Sequence, residues 1–477
     1  MKASRPLDPG SPREILGISW PIGVSMLSMT FKGLIDMAMV GALGTEALAA
    51  VGFGSVVAYN ALAFGMGVLR GQKSLVAQHL GAGERRTSFS FGVHAFYLAL
   101  LFAAGCVLLA PWAGRGVSFL AGRAHLTGEA ARMASVYVTW RLGLGGVWLL
   151  ALSIAEYLRA TGRTRLPMAS DLIAHPLNIL FNWILIFGNL GAPRLGVAGS
   201  AIGTGLADLV SLLLLLALAR PEGGRIPPGS FRFFGGRLAR AWTVGVASGV
   251  QFTLEMVGFT IITWFVAFLG TTALAAHQAA LAILHVSFLP GLAIGDGVGV
   301  VVGREVGARR WSAARRAVRS GVKLALPLMV GMGLVFFLFG GVFCSLFLKN
   351  DDPEVRARSI ALGAAILKVA AVWQVFDALQ IVYRLALRAV GDHRWVMMVG
   401  ILCSWLLTVP LAAFVVFGIG GSVVGVWAIL TVELSTGAWF FVRRWRRGTW
   451  IQKRLVEEGG EVLAASVLPR LGAETLG

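Results

Sequence analysis

Leu43-Gly44-Thr45-Glu46-Ala47-Leu48-Ala49-Ala50 recurs over 269–276 as Leu-Gly-Thr-Thr-Ala-Leu-Ala-Ala, identical at seven of eight positions and displaced by 226 residues. The same displacement carries Gly81-Ala82-Gly83 onto Gly307-Ala308-Arg309, and one of 229 carries Leu158-Arg159-Ala160 onto Leu387-Arg388-Ala389. Motifs repeated in order at nearly constant spacing mark an internal duplication. The chain reads as two copies of one unit.

Its medium is set by composition. Of 477 residues 57% are hydrophobic and 14% charged, where a soluble protein carries about 25% charged residues. Apolar runs close to the ~20 residues needed to cross a bilayer recur along the whole chain. They cover 14–39, 47–72, 88–110, 131–157, 166–188, 197–219, 239–268, 273–302, 317–348, 357–387, 394–418 and 421–442, which predicts an all-α polytopic membrane protein of twelve helices. Six helices per copy is an even number, so both copies enter the membrane in the same sense and the pseudo-twofold axis lies along its normal. The expected division is an N-lobe over 1–219, a Pro/Gly-rich basic linker over 220–240, a C-lobe over 241–447 and a polar tail over 448–477, dispensable or lying on the surface. Pro21 and Pro176 are expected to bend helices 1 and 5.

A net charge of +19 raises the possibility of a nucleic-acid partner, but the positions of the charges exclude it. About 30 of the 42 Lys and Arg fall in the termini and in the turns that follow even-numbered helices, the asymmetry of the positive-inside rule. Both termini are therefore expected in the cytoplasm and the chain in the inner membrane, with Arg443-Arg444-Trp445-Arg446-Arg447 anchoring at an anionic leaflet. No removable signal peptide is read in the first ~13 residues. Cys106, Cys344 and Cys403 lie far apart in apolar runs and read as packing residues. No P-loop, Gly-x-Ser-x-Gly or His-Glu-x-x-His is present, so no enzyme chemistry is expected.

What remains is charge inside apolar helices, which is costly and therefore a candidate for function. The acids are Asp36, Glu156, Asp171, Asp208, Glu255, Asp296 and Asp377; the bases are Lys32, Arg70, Lys73, Arg141 and Lys368. Some could neutralise each other within a helix, as Lys32 with Asp36 and Glu156 with Arg159. Asp36, Glu255 and Asp377 form the sharper set. Shifted back by 226, Glu255 falls two turns from Asp36 on one face of the equivalent helix, so both could face a cavity between the lobes. A carboxylate there can exchange a proton, or hold Na⁺ with oxygen neighbours, as is possible at Glu255 and Asp377. Asp171, His175, Asn178 and Asn182 follow at spacings of four, three and four, a polar stripe on helix 5 that lines a wet cavity or meets a neighbour's polar groups. Thr204 on helix 6 joins this N-lobe polar shell. Arg70 and Asp296 are related by the 226 offset and could pair across the axis as an inter-lobe latch, against a static buried pair or a snorkelling Arg70; Lys73, one turn on, reads as interfacial. Trp264, Trp373 and Tyr383 could line an aromatic cavity suited to flat organic cations, or simply pack.

These residues together resemble the multidrug and toxic compound extrusion (MATE) family over nearly the whole chain, from Ile15 to Arg444. The matching elements include Asp36 followed by Val40-Gly41-x-Leu43-Gly44-Thr45-x-Ala47-Leu48-Ala49-Ala50, and Ala77-Gln78-x-Leu80-Gly81-Ala82-Gly83. Gly196-Val197-Ala198-Gly199-Ser200-Ala201, Leu269–Gln278 and Gln374-x-x-Asp377 with Leu387-Arg388-Ala389-x-Gly391-Asp392 follow in order. The resemblance implies two six-helix lobes forming a V, alternating access, and Na⁺- or H⁺-driven export of small organic cations with no other cofactor, by a protein expected to act as a monomer. Glu255 and Asp377 match the C-lobe acids of the NorM-like branch, Asp36 the N-lobe acid, and Asn178 an N-lobe polar position. Asn182 stands where archaeal and DinF-like members carry a second N-lobe acid, a loss that Asp171 could make good. Lys32, Arg70, Lys73 and Asp296 depart from the family pattern and leave room for zwitterionic or anionic cargo. The alternative is a flippase of lipid-linked precursors from the same superfamily.

Overall fold

A computed structural model describes residues 8–123, 127–219, 229, 231–348 and 352–456. Twelve helices among the described residues are long and apolar enough to cross a membrane. They are α1 (Pro12–Gly41), α2 (Thr45–Gly81), α3 (Arg85–Arg123), α4 (Gly128–Ala160), α5 (Arg165–Phe187) and α6 (Val197–Leu218). The second copy supplies α7 (Gly235–Phe268), α8 (Thr271–Gly307), α9 (Trp311–Phe347), α10 (Pro353–Val390), α11 (His393–Gly418) and α12 (Val423–Arg446).

Local chemistry sets the ends. Ser11, Thr127, Asp352 and Ser422 accept N–H bonds from the first turns of α1, α4, α10 and α12, and Pro12 and Pro353 stand at first helical positions. The repeated octapeptide makes the α1–α2 and α7–α8 turns. Gly44 (φ 119°) and Gly270 (φ 99°) occupy equivalent places there, in a backbone region that a side chain would strain. The α2–α3 and α8–α9 turns share their closing bonds. Glu84 N–H donates to His79 C=O at 2.9 Å, and Arg310 N–H to Glu305 C=O at 2.8 Å. Even the left-handed residue is shared, Gly83 in one copy and Arg309 in the other.

α1 and α5 run unbroken past Pro21 and Pro176, whereas α2 is interrupted at Gln72, where there is no proline. The Gln72 Nε2 donates both to Val68 C=O and, at 2.8 Å, to Ala241 C=O of α7. α11 contains two π-helical stretches, Leu402–Thr408 and Phe414–Gly418.

Four apolar clusters show how the lobes meet. Around the repeated turns the cores are separate: one holds Val40, Ala47, Val138, Ile186 and Ala201 of the first copy, another Ile262, Ala276, Ile366 and Trp427 of the second. At the opposite end, which carries both described termini, the cores are shared. Ile15, Ile18 and Ile22 of α1 enter the C-lobe core, and Leu238, Ala241 and Val244 of α7 enter the N-lobe core. The lobes are thus sewn together at this basic end and separately packed at the distal end.

Two boundaries differ from expectation. Residues 220–228 and 230 of the linker lie outside the described residues, but α7 already begins at Gly235, inside the span assigned to the linker, because its first turns bury apolar faces in the N-lobe. The start of the tail does not lie on the surface. Thr449–Lys453 forms a 3₁₀ turn in which Trp450 is fully buried, stacked on Trp445 at 4.3 Å between ring centroids. Beyond it Leu455 N–H donates to Gln78 Oε1 at 2.7 Å, Arg240 donates to Leu455 C=O, and Arg454 donates to Gly307 C=O at 2.9 Å. Residues 457–477 lie outside the described residues.

Candidate functional site

In the N-lobe, α1, α5 and α6 bring the predicted polar residues together. Asn182 Nδ2 donates to Asp36 Oδ1 at 2.7 Å; Asn178 donates to Thr204 Oγ1 at 3.1 Å, and the two asparagines approach within 3.5 Å. Both asparagines are fully buried, while Asp36 keeps partial exposure. Amides at i and i+4 can form such a chain because they share one helix face. Asp36 is therefore held by Asn182, and the intrahelical pair with Lys32 does not form. The other half of the stripe turns to different partners. His175 Nδ1 lies 2.6 Å from Ser28 Oγ of α1, and Asp171 lies 4.0 Å from Arg159 of α4. Asp208 pairs with Arg141 at 3.5 Å.

In the C-lobe, Glu255 does not stand as a free acid beside Asp377. It receives Gln251 Nε2 at 2.8 Å and Arg384 Nη1 at 3.2 Å, and Arg388 in turn donates to Gln251 Oε1 at 2.8 Å. Across a small pocket stands Glu433 of α12, its two oxygens accepting from Ser404 at 2.6 Å and Thr408 at 2.7 Å. Those hydroxyls lie on a π-helical stretch of α11, a device that commonly accompanies functional sites. Gln380 and Arg384 line the same pocket. Asp377 is buried on α10 and, among the described residues, has no ion-pair partner within 4.0 Å. No group of three His, Cys, Asp or Glu suited to a metal ion occurs among the described residues, and at Glu255 a guanidinium already supplies the positive charge.

The latch is redrawn. Asp296 pairs with Lys73 Nζ at 2.7 Å, not with Arg70, whose guanidinium lies 5.8 Å from the Phe252 ring centroid. Lys73 also pairs with Glu156 at 3.1 Å, and Glu156 with Arg159 at 3.0 Å as expected. Lys73 follows Gln72 on α2, and its Nζ reaches carboxylates of α4 and α8 rather than the interface where sequence places it.

The aromatic cavity is not assembled. Trp264 is 71% exposed, Trp373 packs on the buried Trp427 at 5.2 Å, and Tyr383 packs on Trp445 at 6.5 Å. Ten residues of α10 separate the last two anchors, about 15 Å of helix.

Sequence reading missed Glu433, Arg384, Arg388 and Gln251. Glu433 could have been found, since it interrupts the apolar run 421–442. Arg384 and Arg388 could not, because they fall near the basic end where arginines are ordinary.

Twelve spans in two equivalent lobes, joined at one end and lined by paired charges, define a duplicated multi-pass membrane protein. The family model for MatE matches residues 21–184 and 247–414, two segments whose starts lie 226 residues apart, the offset of the repeated octapeptide. A protein of Geobacillus kaustophilus named probable multidrug resistance protein NorM is 30% identical over 452 residues, which cover 92% of this chain and 96% of that one. One of the same name from Mesorhizobium japonicum is 27% identical over 448 residues, covering 91% and 93%. Among solved structures, a MOP superfamily transporter from Pyrococcus furiosus, described as having a binding pocket of reversed polarity, has the same fold. Its TM-score is 0.84 at 20% identity, over 94% of this chain and 100% of that one. The chain belongs to the MATE family.

Proposed function

We propose that this protein is an ion-coupled antiporter of the inner membrane, with both termini cytoplasmic, which exports small organic cations by alternating access between its lobes. The observation that carries the reading is the N-lobe chain Asp36–Asn182–Asn178–Thr204. It holds a partly exposed carboxylate at a fixed place beside the region where the lobes part. A carboxylate so placed binds H⁺ or Na⁺ when the cavity is open to one side and can release it to the other. The names of the NorM relatives support multidrug cargo.

Glu255 and Asp377 are the C-lobe candidates for coupling. Arg384 on Glu255 favours a substitution mechanism there, in which an incoming cation competes with the guanidinium for the carboxylate. The flippase alternative rested on Lys32, Arg70 and Lys73 as a cationic lining, and Lys73 is taken up by Glu156 and Asp296.

The test is ethidium efflux from proteoliposomes under an imposed Na⁺ gradient and then an imposed H⁺ gradient, comparing wild type with Asp36→Asn and with Glu255→Gln/Asp377→Asn. Loss in Asp36→Asn alone places coupling in the N-lobe, and loss in the double variant alone places it in the C-lobe. No efflux by folded wild type under either gradient sinks the multidrug reading.

A further inference from the structure

We infer that Lys73 is the positioning residue that holds the two lobes in register, and that its bond to Asp296 must open and re-form in each transport cycle. The inference rests on the alternating-access reading above. Its Nζ is shared between carboxylates of different lobes, Glu156 of α4 and Asp296 of α8. The side chains of Lys73, Glu156 and Asp296 are 17%, 3% and 11% exposed, so water screens the triad poorly. Arg159 of α4 completes the set on the N-lobe side, giving two cations and two anions. Asp171 of α5 lies beyond Arg159; Arg70 of α2 and Arg388 of α10 lie near the Asp296 side.

The placement is asymmetric where the surrounding seam is symmetric. Gly81 faces Arg304 and Gly307 faces Gln78, and both pairs map onto each other by 226. The same shift maps Lys73 onto Gly299 and Arg70 onto Asp296, so the charge pair has no copy on the other side of the axis. The neighbouring seam carries backbone packed on small residues, as at Gly67 with Gly249 and Gly71 with Gly245, together with bonds between the lobes: Ser74 Oγ with His393 Nε2 at 2.9 Å, Gln78 Nε2 to Ala389 C=O at 2.7 Å, and the ion pair of Glu14 with Arg304. When the basic end opens, Lys73 stays with Glu156 and Asp296 loses its counter-charge, which weights the equilibrium toward the closed seam.

The experiment reads lobe geometry without cargo. Thr45 and Thr271 are exposed and equivalent, one at the distal end of each lobe. Spin labels at Thr45→Cys and Thr271→Cys, in a chain carrying Cys106→Ser, Cys344→Ala and Cys403→Ala, report that separation in nanodiscs. In the Lys73→Met and Asp296→Asn variants the short-distance population, closed distally, is expected to rise about tenfold relative to the long one. Lys73→Arg is expected to keep the parent distribution. A distribution unchanged in folded Lys73→Met and Asp296→Asn protein, even with a lowered Tm, would make the pair static and overturn the inference. Because no substrate is present, a shift without ethidium efflux by wild type would keep the pair and remove only the multidrug reading.

Discussion

Gly81 and Gly307 each lie against the main chain of the other's helix: a Cβ on Gly81 would overlap the Arg304 carbonyl, and one on Gly307 the Gln78 carbonyl. The two residues are the last of α2 and α8, and they meet where the lobes are joined. Replacing either by alanine forces the helix ends apart, at a cost of about 1–3 kcal/mol for overpacking. Gly81→Ala is expected to lower Tm in detergent. Gly105→Ala, where nothing stands within 4 Å, should be neutral or slightly stabilising, since alanine favours helix by about 1 kcal/mol. Equal Tm values for the two variants would contradict the close approach.

Gly203 of α6 makes room for Asn182: a Cβ there would overlap the Asn182 Oδ1. Gly203→Ala should push the amide off Asp36 without altering any acid. A hydrogen bond to a charged group contributes about 1.5–3 kcal/mol, so ethidium efflux should fall roughly tenfold or more, as in Asn182→Ala. Full efflux by folded Gly203→Ala would show that Asn182 does not position Asp36.

A stop codon after Arg447 removes Trp450 and the bonds of Arg454 and Leu455. Losing a fully buried Trp costs about 3–5 kcal/mol, so Trp450→Ala and the truncation should both lower Tm by several degrees. A stop after Val456 spares Trp450 and the bonds of Arg454 and Leu455 and should leave Tm unchanged. Melting curves that do not separate the two truncations would return this turn to the surface.

Arg384→Ala leaves Glu255 without its charge partner; the pair is partly buried, each side chain 16% exposed, so its loss costs less than the roughly 3–5 kcal/mol of a fully buried pair but still lowers Tm. Arg384→Ala/Glu255→Gln removes both charges and should recover much of that stability. Recovery absent from the double variant would show that Arg384 acts elsewhere, for instance on Glu433. Gly400→Ala should push into Gln251 and Glu255 and is expected to lower ethidium efflux with the acid still present.

The duplication and the twelve helices were legible in the chain itself, because they rest on period, length and composition, which are local quantities. So was the grouping of Asn178 with Asn182, since i, i+4 spacing puts side chains on one face whatever the partner. Which charge meets which was not. Asp296 had Arg70 as its sequence-equivalent partner, and the packing of α2 against α8 gives it Lys73 instead. Glu255 reads in the sequence as a C-lobe acid without a named partner, and α10 gives it Arg384, with Glu433 brought alongside by α12. Pairing between helices depends on their relative rotation and depth, to which an ångström of shift or a single interrupted turn is decisive, and only the packed lobes decide that.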